Sequence, residues 1–302
     1  MRIVWQFKAK QKTFEIGKVK IGGVPGERPA VLIGTLFHLG QKIVTDAKKG
    51  EFDRVKAEEL INVQDEFSDK TGNPCMIDLV ASGAEAVSKE LEFVMSITDA
   101  PILIDPVGVE AKKMTIQYVK ENGLANKVVY NSLTVETKQE ELDSIREAEI
   151  TSAILLAYSS RAFTTQGRID AINSLLTSAE ETGIEKPLID TCIMDIPSLG
   201  MGCYALFKLK NEFGVPIGAG TDNAISTWRG LKTKMGKQAR ESSIATAAAA
   251  AVMVGADFIL YGPMKTAPYV FPSVSMIDAA FGQLVMEQGK IIDKGHPLFK
   301  IP

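Results

Sequence analysis

From Pro29 onward one pattern repeats along the chain: a short apolar run, then a longer stretch whose apolar positions recur at helical spacing. The runs fall at residues 31–36, 75–80, 102–107, 128–133, 153–158, 188–192, 216–219 and 258–261. Most are apolar on both faces instead of alternating, as parallel strands covered on both sides must be. Between them lie helical stripes, Leu60, Val63 and Phe67 first, then Val87, Leu91 and Val94. Ile169, Ile172, Leu176 and Ala179 form a third stripe, and Ile277, Phe281 and Leu284 a fourth. Ser82-Gly83-Ala84-Glu85 reads as a capping box opening the second helix. The stretch 244–254, with five consecutive alanines, predicts a closely packed helix and a seventh crossover long enough for two. Eight strand–helix units without a linker predict a closed (β/α)8 TIM barrel; an open eight-stranded sheet is the alternative.

Before Pro29 the pattern is different. Short alternating runs at 3–7, 13–17 and 19–22 predict an antiparallel hairpin, ended by Gly22-Gly23-Val24-Pro25-Gly26. We therefore expect a single domain over 1–302, with 1–28 as an N-terminal hairpin extension.

Several strands end in polar residues, where barrels assemble their active sites. Strand two ends at Asp78, strand three at Asp105-Pro106, and strand four at Asn131-Ser132. Strand six ends at Asp190-Thr191, and strand seven runs into Gly218-Ala219-Gly220-Thr221-Asp222-Asn223. Each has a plainer reading as a cap or turn former. Asp78, so close to the capping box, and Asp222, just before a helix near Ala224, are expected to be caps or supports. Gly108 argues against an immediate helix after Asp105, and no helical pattern directly follows Asp190. As a set they predict convergence on one mouth, where a carboxylate must find donors or accept a raised pKa.

Composition narrows the chemistry. A net charge of −3 argues against a nucleic-acid-binding face. No stretch has the ~18 consecutive apolar residues that favour a membrane span, and the amino terminus lacks a secretory pattern. Three cysteines, Cys75, Cys192 and Cys203, without a Cys-x-x-Cys, fit a reducing cytoplasm. With only His38 and His296, a multi-histidine metal site is not expected, so no bound metal is assigned. No lysine lies within the eight runs for a Schiff base. Cys192 reads as a buried small residue. Gly218-x-Gly220 would suit a phosphate, but no matching glycine-rich turn follows strand eight, which makes that a second choice.

Several phrases resemble one family. They are Pro29-Ala30-Val31-Leu32-Ile33-Gly34-Thr35, Phe52-Asp53-Arg54, Thr71-Gly72-Asn73-Pro74, Tyr130-Asn131-Ser132-Leu133-Thr134, Ile189-Asp190-Thr191, Pro197-Ser198-Leu199-Gly200 and Gly218-Ala219-Gly220-Thr221-Asp222-Asn223-Ala224. Together they resemble the H subunit of tetrahydromethanopterin S-methyltransferase, over nearly the whole chain from about Thr13. The order Asp, Asn, Asp, Asn at strands three, four, six and seven is similar to methyltetrahydrofolate:corrinoid methyltransferases, pterin-binding barrels related to dihydropteroate synthase. The resemblance implies that Asp105 and Asp190 hold the guanidine-like edge of a reduced pterin. Asn131 would complete its hydrogen bonds, and Asn223 would meet the reacting N5. Asp105 and Asn223 are thus the implied catalytic residues, with Asp78, Ser132, Gly220 and Asp222 in support.

The implied substrates are tetrahydrofolate, or tetrahydromethanopterin, and a methylated corrinoid. No corrinoid-binding Asp-x-His-x-x-Gly is present, so cobalamin would come free or on a partner corrinoid protein. A homodimer is expected from the resemblance. Two alternatives stay open: a dihydropteroate-synthase-like condensing enzyme, with Arg161, Arg229 and Lys265 as its only candidate diphosphate cations, and a non-catalytic docking subunit.

Overall fold

A computed structural model describes residues 5–160 and 163–302. The chain opens with strands β1 (Thr13–Ile16) and β2 (Val19–Gly22), paired antiparallel with Thr13 opposite Gly22. Of the expected run at 3–7, residues 1–4 lie outside the described residues and 5–7 form no strand. β3 (Val31–Leu36) follows, then a small ribbon, β4 (Val44–Asp46) with β5 (Glu51–Phe52), that the hydrophobic pattern did not signal.

Alternation then becomes regular: α1 (Arg54–Thr71), β6 (Cys75–Ala81), α2 (Ala84–Ile97), β7 (Ile102–Pro106), α3 (Val109–Glu121) and β8 (Val128–Leu133). Next come α4 (Gln139–Glu147), β9 (Ser152–Leu156), α5 (Thr165–Thr182), β10 (Lys186–Asp190), α6 (Ile196–Phe213) and β11 (Ile217–Gly220). The seventh crossover holds α7 (Asp222–Ser226), α8 (Leu231–Met235) and α9 (Gln238–Met253), one helix more than expected. β12 (Phe258–Pro263), α10 (Ala267–Glu287) and α11 (Pro297–Lys300) end the chain. The strands β3, β6 to β12 pair in parallel and close on themselves, so the barrel is found and the open sheet is excluded.

Two apolar layers hold it together. The outward strand residues Leu32, Ile77, Ile104, Tyr130, Leu155 and Ile189 pack under the helices. The inward residues Val31, Ile33, Met76, Leu103, Val129, Ile154, Leu188 and Phe258 form a separate interior cluster. Ile16, Val19 and Ile21 of the hairpin join that inner cluster, so β1 and β2 plug the end of the barrel where the strands begin. Lys186, one strand position that sequence reading left outside the run, sits at this end and donates to the Glu15 carbonyl at 2.8 Å.

Local details correct three expectations. No capping box opens α2: its cap is Gly83, which makes no side-chain bond and whose backbone lies against that of Lys48, 2.4 Å from where a Cβ would sit. Asp105 caps nothing, yet α3 begins directly after Gly108. In α1 the fully buried positions are Ala57, Ile61 and Gln64, while Leu60, Val63 and Phe67 are only half-buried. Among the described residues, one helix, Met264–Glu287, is long and apolar enough to cross a membrane by composition. Here it is a barrel helix, and its Asp278 accepts bonds from the Ala30 amide and Asn73.

Candidate active site

Pleating decides what the barrel mouth displays. Side chains alternate between faces along a strand, so the residue two beyond each interior apolar position also points inward. Two beyond Ile33 is Thr35, two beyond Met76 is Asp78, and two beyond Leu103 is Asp105. Two beyond Val129 is Asn131, and two beyond Leu188 is Asp190. Leu156, Gly220 and Leu260 supply the same layer from β9, β11 and β12, and all eight line one cavity of about 540 Å³. Ser132, Asp222, Asn223, Ser226 and Arg240 line it higher up. Every site residue anticipated from sequence therefore reaches this mouth.

Three aspartates sit in it without a full set of partners. Asp78 is buried; it accepts from Thr35 Oγ1 at 2.9 Å and from Asn131 Nδ2 at 3.1 Å. Burial still pushes its pKa up to about 6, against both hydrogen bonds. It caps no helix, which corrects the reading of Asp78 as cap or turn. Asp190 is buried as well and accepts from the Cys192 amide at 2.7 Å. Burial pushes it to about 6, opposed by the amides of Cys192 and Gly220. Asp105 is the extreme case: no hydrogen bond reaches its carboxyl among the described residues. Burial, then the charge of Asp78, push it up to about 8 against the pull of Lys112. Burial and the neighbouring Asp78 carboxylate together favour the protonated form of Asp105 near neutral pH.

The supports are built from distant parts of the chain. Buried Arg168, on α5, donates from Nε to Thr191 O at 2.8 Å and from Nη2 to Cys192 O at 3.1 Å. It thereby fixes the turn after β10 that presents Asp190. Cys192 has φ 56° within this turn, and burial pushes its thiol up to about 12, as suits a small buried residue. On α7, Asn223 donates one amide N–H to Ile193 O at 3.1 Å, and its other N–H and its side-chain oxygen have no partner among the described residues. A Cβ at position 220 would stand 3.2 Å from Asn223 Nδ2 and 3.8 Å from Asp190 Oδ2, between the two groups.

Asp222 is not a cap either. The N-cap of α7 is Thr221, and Asp222 instead faces Arg240 at 3.5 Å across the rim. Burial raises its pKa against the charges of Arg240, His38 and Lys265. Gly262, at φ 80°, allows this approach, since a Cβ there would fall 2.5 Å from Asp222 Cγ. The phosphate reading of Gly218-x-Gly220 loses its ground, because a Cβ at 218 would lie 2.1 Å from the Phe258 carbonyl. Strand packing, not a ligand, requires that glycine.

Sequence reading missed Thr35 and Arg240. Thr35 was accessible to the same two-residue step that gives Asp78. Arg240 arrives from α9 and had no local signal. Of the expected diphosphate cations, Arg161 lies outside the described residues and Arg229 is exposed and off the mouth. Lys265 lines a neighbouring cavity instead.

Comparisons with known proteins agree with this architecture. Residues 9–292 match the family described as the tetrahydromethanopterin S-methyltransferase MtrH subunit. The chain is 36% identical to the H subunit of tetrahydromethanopterin S-methyltransferase from Methanosarcina acetivorans, over 99% of this chain and 100% of that one. It is 37% identical to the Methanopyrus kandleri H subunit over 89% and 90% of the two chains. The corresponding protein of Methanocaldococcus jannaschii is 34% identical over 99% and 100%. Among solved structures, Xanthomonas albilineans dihydropteroate synthase with indole-2-carboxylic acid and 6-chloroguanine superposes with a TM-score of 0.57 at 16% identity, covering 90% and 98%. At these identities the likeness concerns the barrel fold alone.

Proposed function

The chain belongs to the tetrahydromethanopterin S-methyltransferase MtrH subunit family, and on that premise we propose that it transfers a methyl group between a methylated corrinoid and N5 of a reduced pterin, tetrahydrofolate foremost. The observation that carries this is the set of polar inward residues on β6, β7, β8 and β10, Asp78, Asp105, Asn131 and Asp190, around one cavity. Ionised Asp190 suits the adjacent N–H donors of the pterin's guanidine-like edge. Asn131, held by Asp78, completes the cradle.

The chemistry explains why a carboxyl that titrates near neutral pH belongs here: its ionised form can take a proton and its protonated form can give one. In the methylating direction the N5 lone pair takes the methyl from methyl-Co(III), cobalt keeps the bonding pair as Co(I), and N5 sheds its proton. In reverse, N5 must first gain a proton, because an amide anion is too poor a leaving group. Asp105 can give or take that proton near neutral pH. Asn223, with an N–H and an oxygen free, can follow the change of charge at N5. Positioning and electrostatics are the chain's share of the reaction; the corrinoid is a substrate carried by a partner protein or free in solution. A homodimer in the cytoplasm remains our expectation, which light scattering and cell fractionation would check.

The decisive experiment mixes methylcobalamin with tetrahydrofolate, and separately with tetrahydromethanopterin, and follows the Co(I) spectrum by stopped flow. Protein-dependent Co(I) formation with one pterin is expected. No Co(I) with either would overturn the proposal and favour the docking-subunit reading. The condensing-enzyme reading predicts diphosphate release instead.

A further inference from the structure

Beside the mouth lies a second cavity of about 670 Å³ that shares His38, Arg240 and Pro263 with it. It runs between the segment after β3, the first half of α1 and the turn after β12. Ile43, Leu60, Val63 and Pro268 give it an apolar floor. This explains why the stripe Leu60, Val63 is only half-buried: it faces a groove and not the core.

The rim is cationic. Lys42, Lys56, Arg240 and Lys265 line the groove against one carboxylate, Glu59. Lys56 pairs with Asp53 at 2.5 Å and Arg240 with Asp222 at 3.5 Å. Lys42 and Lys265 form no salt bridge among the described residues. A chain of net charge −3 thus places unpaired positive charge around an apolar trough that opens into the pterin mouth. Such a trough complements a flat apolar body ending in anionic groups, entering from the His38–Arg240 side.

We propose that this groove binds the acidic aryl tail of the pterin substrate, with the arylamine ring on Ile43, Leu60 and Val63 and the terminal anions at Lys42 and Lys265. The proposal rests on the pterin reading of the mouth. Carboxylates of a folate tail and the acidic end of a methanopterin tail share this chemistry, and the test separates them.

Calorimetry would compare four ligands: tail-free 6-methyltetrahydropterin, tetrahydrofolate, its triglutamate, and tetrahydromethanopterin. Wild type should bind at least one tailed ligand roughly tenfold or more tighter than the tail-free pterin, and added salt should shrink that advantage. Whichever tailed ligand gains more names the tail the groove is built for. The exposed double variant Lys42→Glu/Lys265→Glu should lose the advantage to within about twofold. Its affinity for the tail-free pterin and its thermal midpoint should stay unchanged. An undiminished advantage in that variant, or none in wild type, overturns the groove; if Asp190→Asn still abolishes tail-free binding, the mouth reading stands. Failure of wild type to bind the tail-free pterin overturns both.

Discussion

The two ends of the barrel treat buried carboxylates in opposite ways. Where the strands begin, Asp257 accepts from Lys210 Nζ at 2.7 and 2.6 Å and from the Ile217 amide at 2.9 Å. Nearby, Asp278 accepts from the Ala30 amide at 3.0 Å and Asn73 Nδ2 at 2.6 Å. Apolar side chains of the hairpin seal the interior there. Where the strands end, Asp105 has no hydrogen-bond partner among the described residues, and its acidic neighbour Asp78 works against its ionisation. Half-buried and unpartnered, the Asp105 carboxyl is disfavoured in its charged form, and perturbed groups of this kind cluster at functional sites. One end spends its polar groups on holding the barrel closed; the other leaves them for a ligand.

The largest effect should come from breaking the satisfied end. Lys210→Met strands the Asp257 carboxylate, 8% exposed, without its counter-charge. A loss of about 3–5 kcal/mol in urea unfolding is expected, with little change in pterin affinity among molecules that remain folded. A loss under about 1 kcal/mol would mean that the pair is not holding the closed end. At the other end, Asp105→Asn should slow methyl transfer about 100-fold while stability stays level or rises. Equal destabilisation by the two substitutions would erase the contrast.

The pH dependence of stability tests the Asp105 side of this comparison. Asp105 has a folded pKa of about 8, above its ordinary value of 3.8. Between those values the folded state binds more protons than the unfolded state, so stability falls as pH rises from about 4 to about 8. Asp78 and Asp190 add to that fall up to about 6, Asp278 at the other end up to about 7 and Glu90 up to about 8, so the variant and not the total slope isolates Asp105. Denaturation at several pH values should show a shallower slope in Asp105→Asn; an identical slope would refute the assignment. The smallest effect concerns Asn223→Ala. Single-turnover transfer should slow about tenfold while pterin Kd changes less than about threefold. A change confined to Kd would make Asn223 a binding group only.

Much of this was legible before any coordinates. All eight barrel strands coincide with the apolar runs to within two residues, because burial on both faces removes the alternation that marks an exposed strand. The polar residues at strand ends were visible because they interrupt those runs. Less legible was how Asp78 and Asp222 act, since the cap reading, drawn from neighbouring residues that favour helix starts, competed with the support reading. Asp78 instead turns inward to Thr35 and Asn131, and Asp222 across to Arg240. Local chemistry signals what a residue is able to cap, not which way the pleat aims it.

Sequence by itself determined the barrel, its polar mouth and its family likeness, since hydrophobic periodicity and strand-end residue type are local properties carried along the chain. Closure of the strands decided the rest. Only the pairing of β6 with β7 sets Asp78 beside Asp105 and, with burial, raises the latter, because that shift is a sum over burial and a charge from another strand. Only the packing of α9 and the turn after β12 around the rim sets Arg240 and Lys265 beside α1 and makes an anionic groove-binder a reasonable guest. Periodicity fades within a few turns; electrostatics at a barrel mouth adds contributions from residues far apart in the chain.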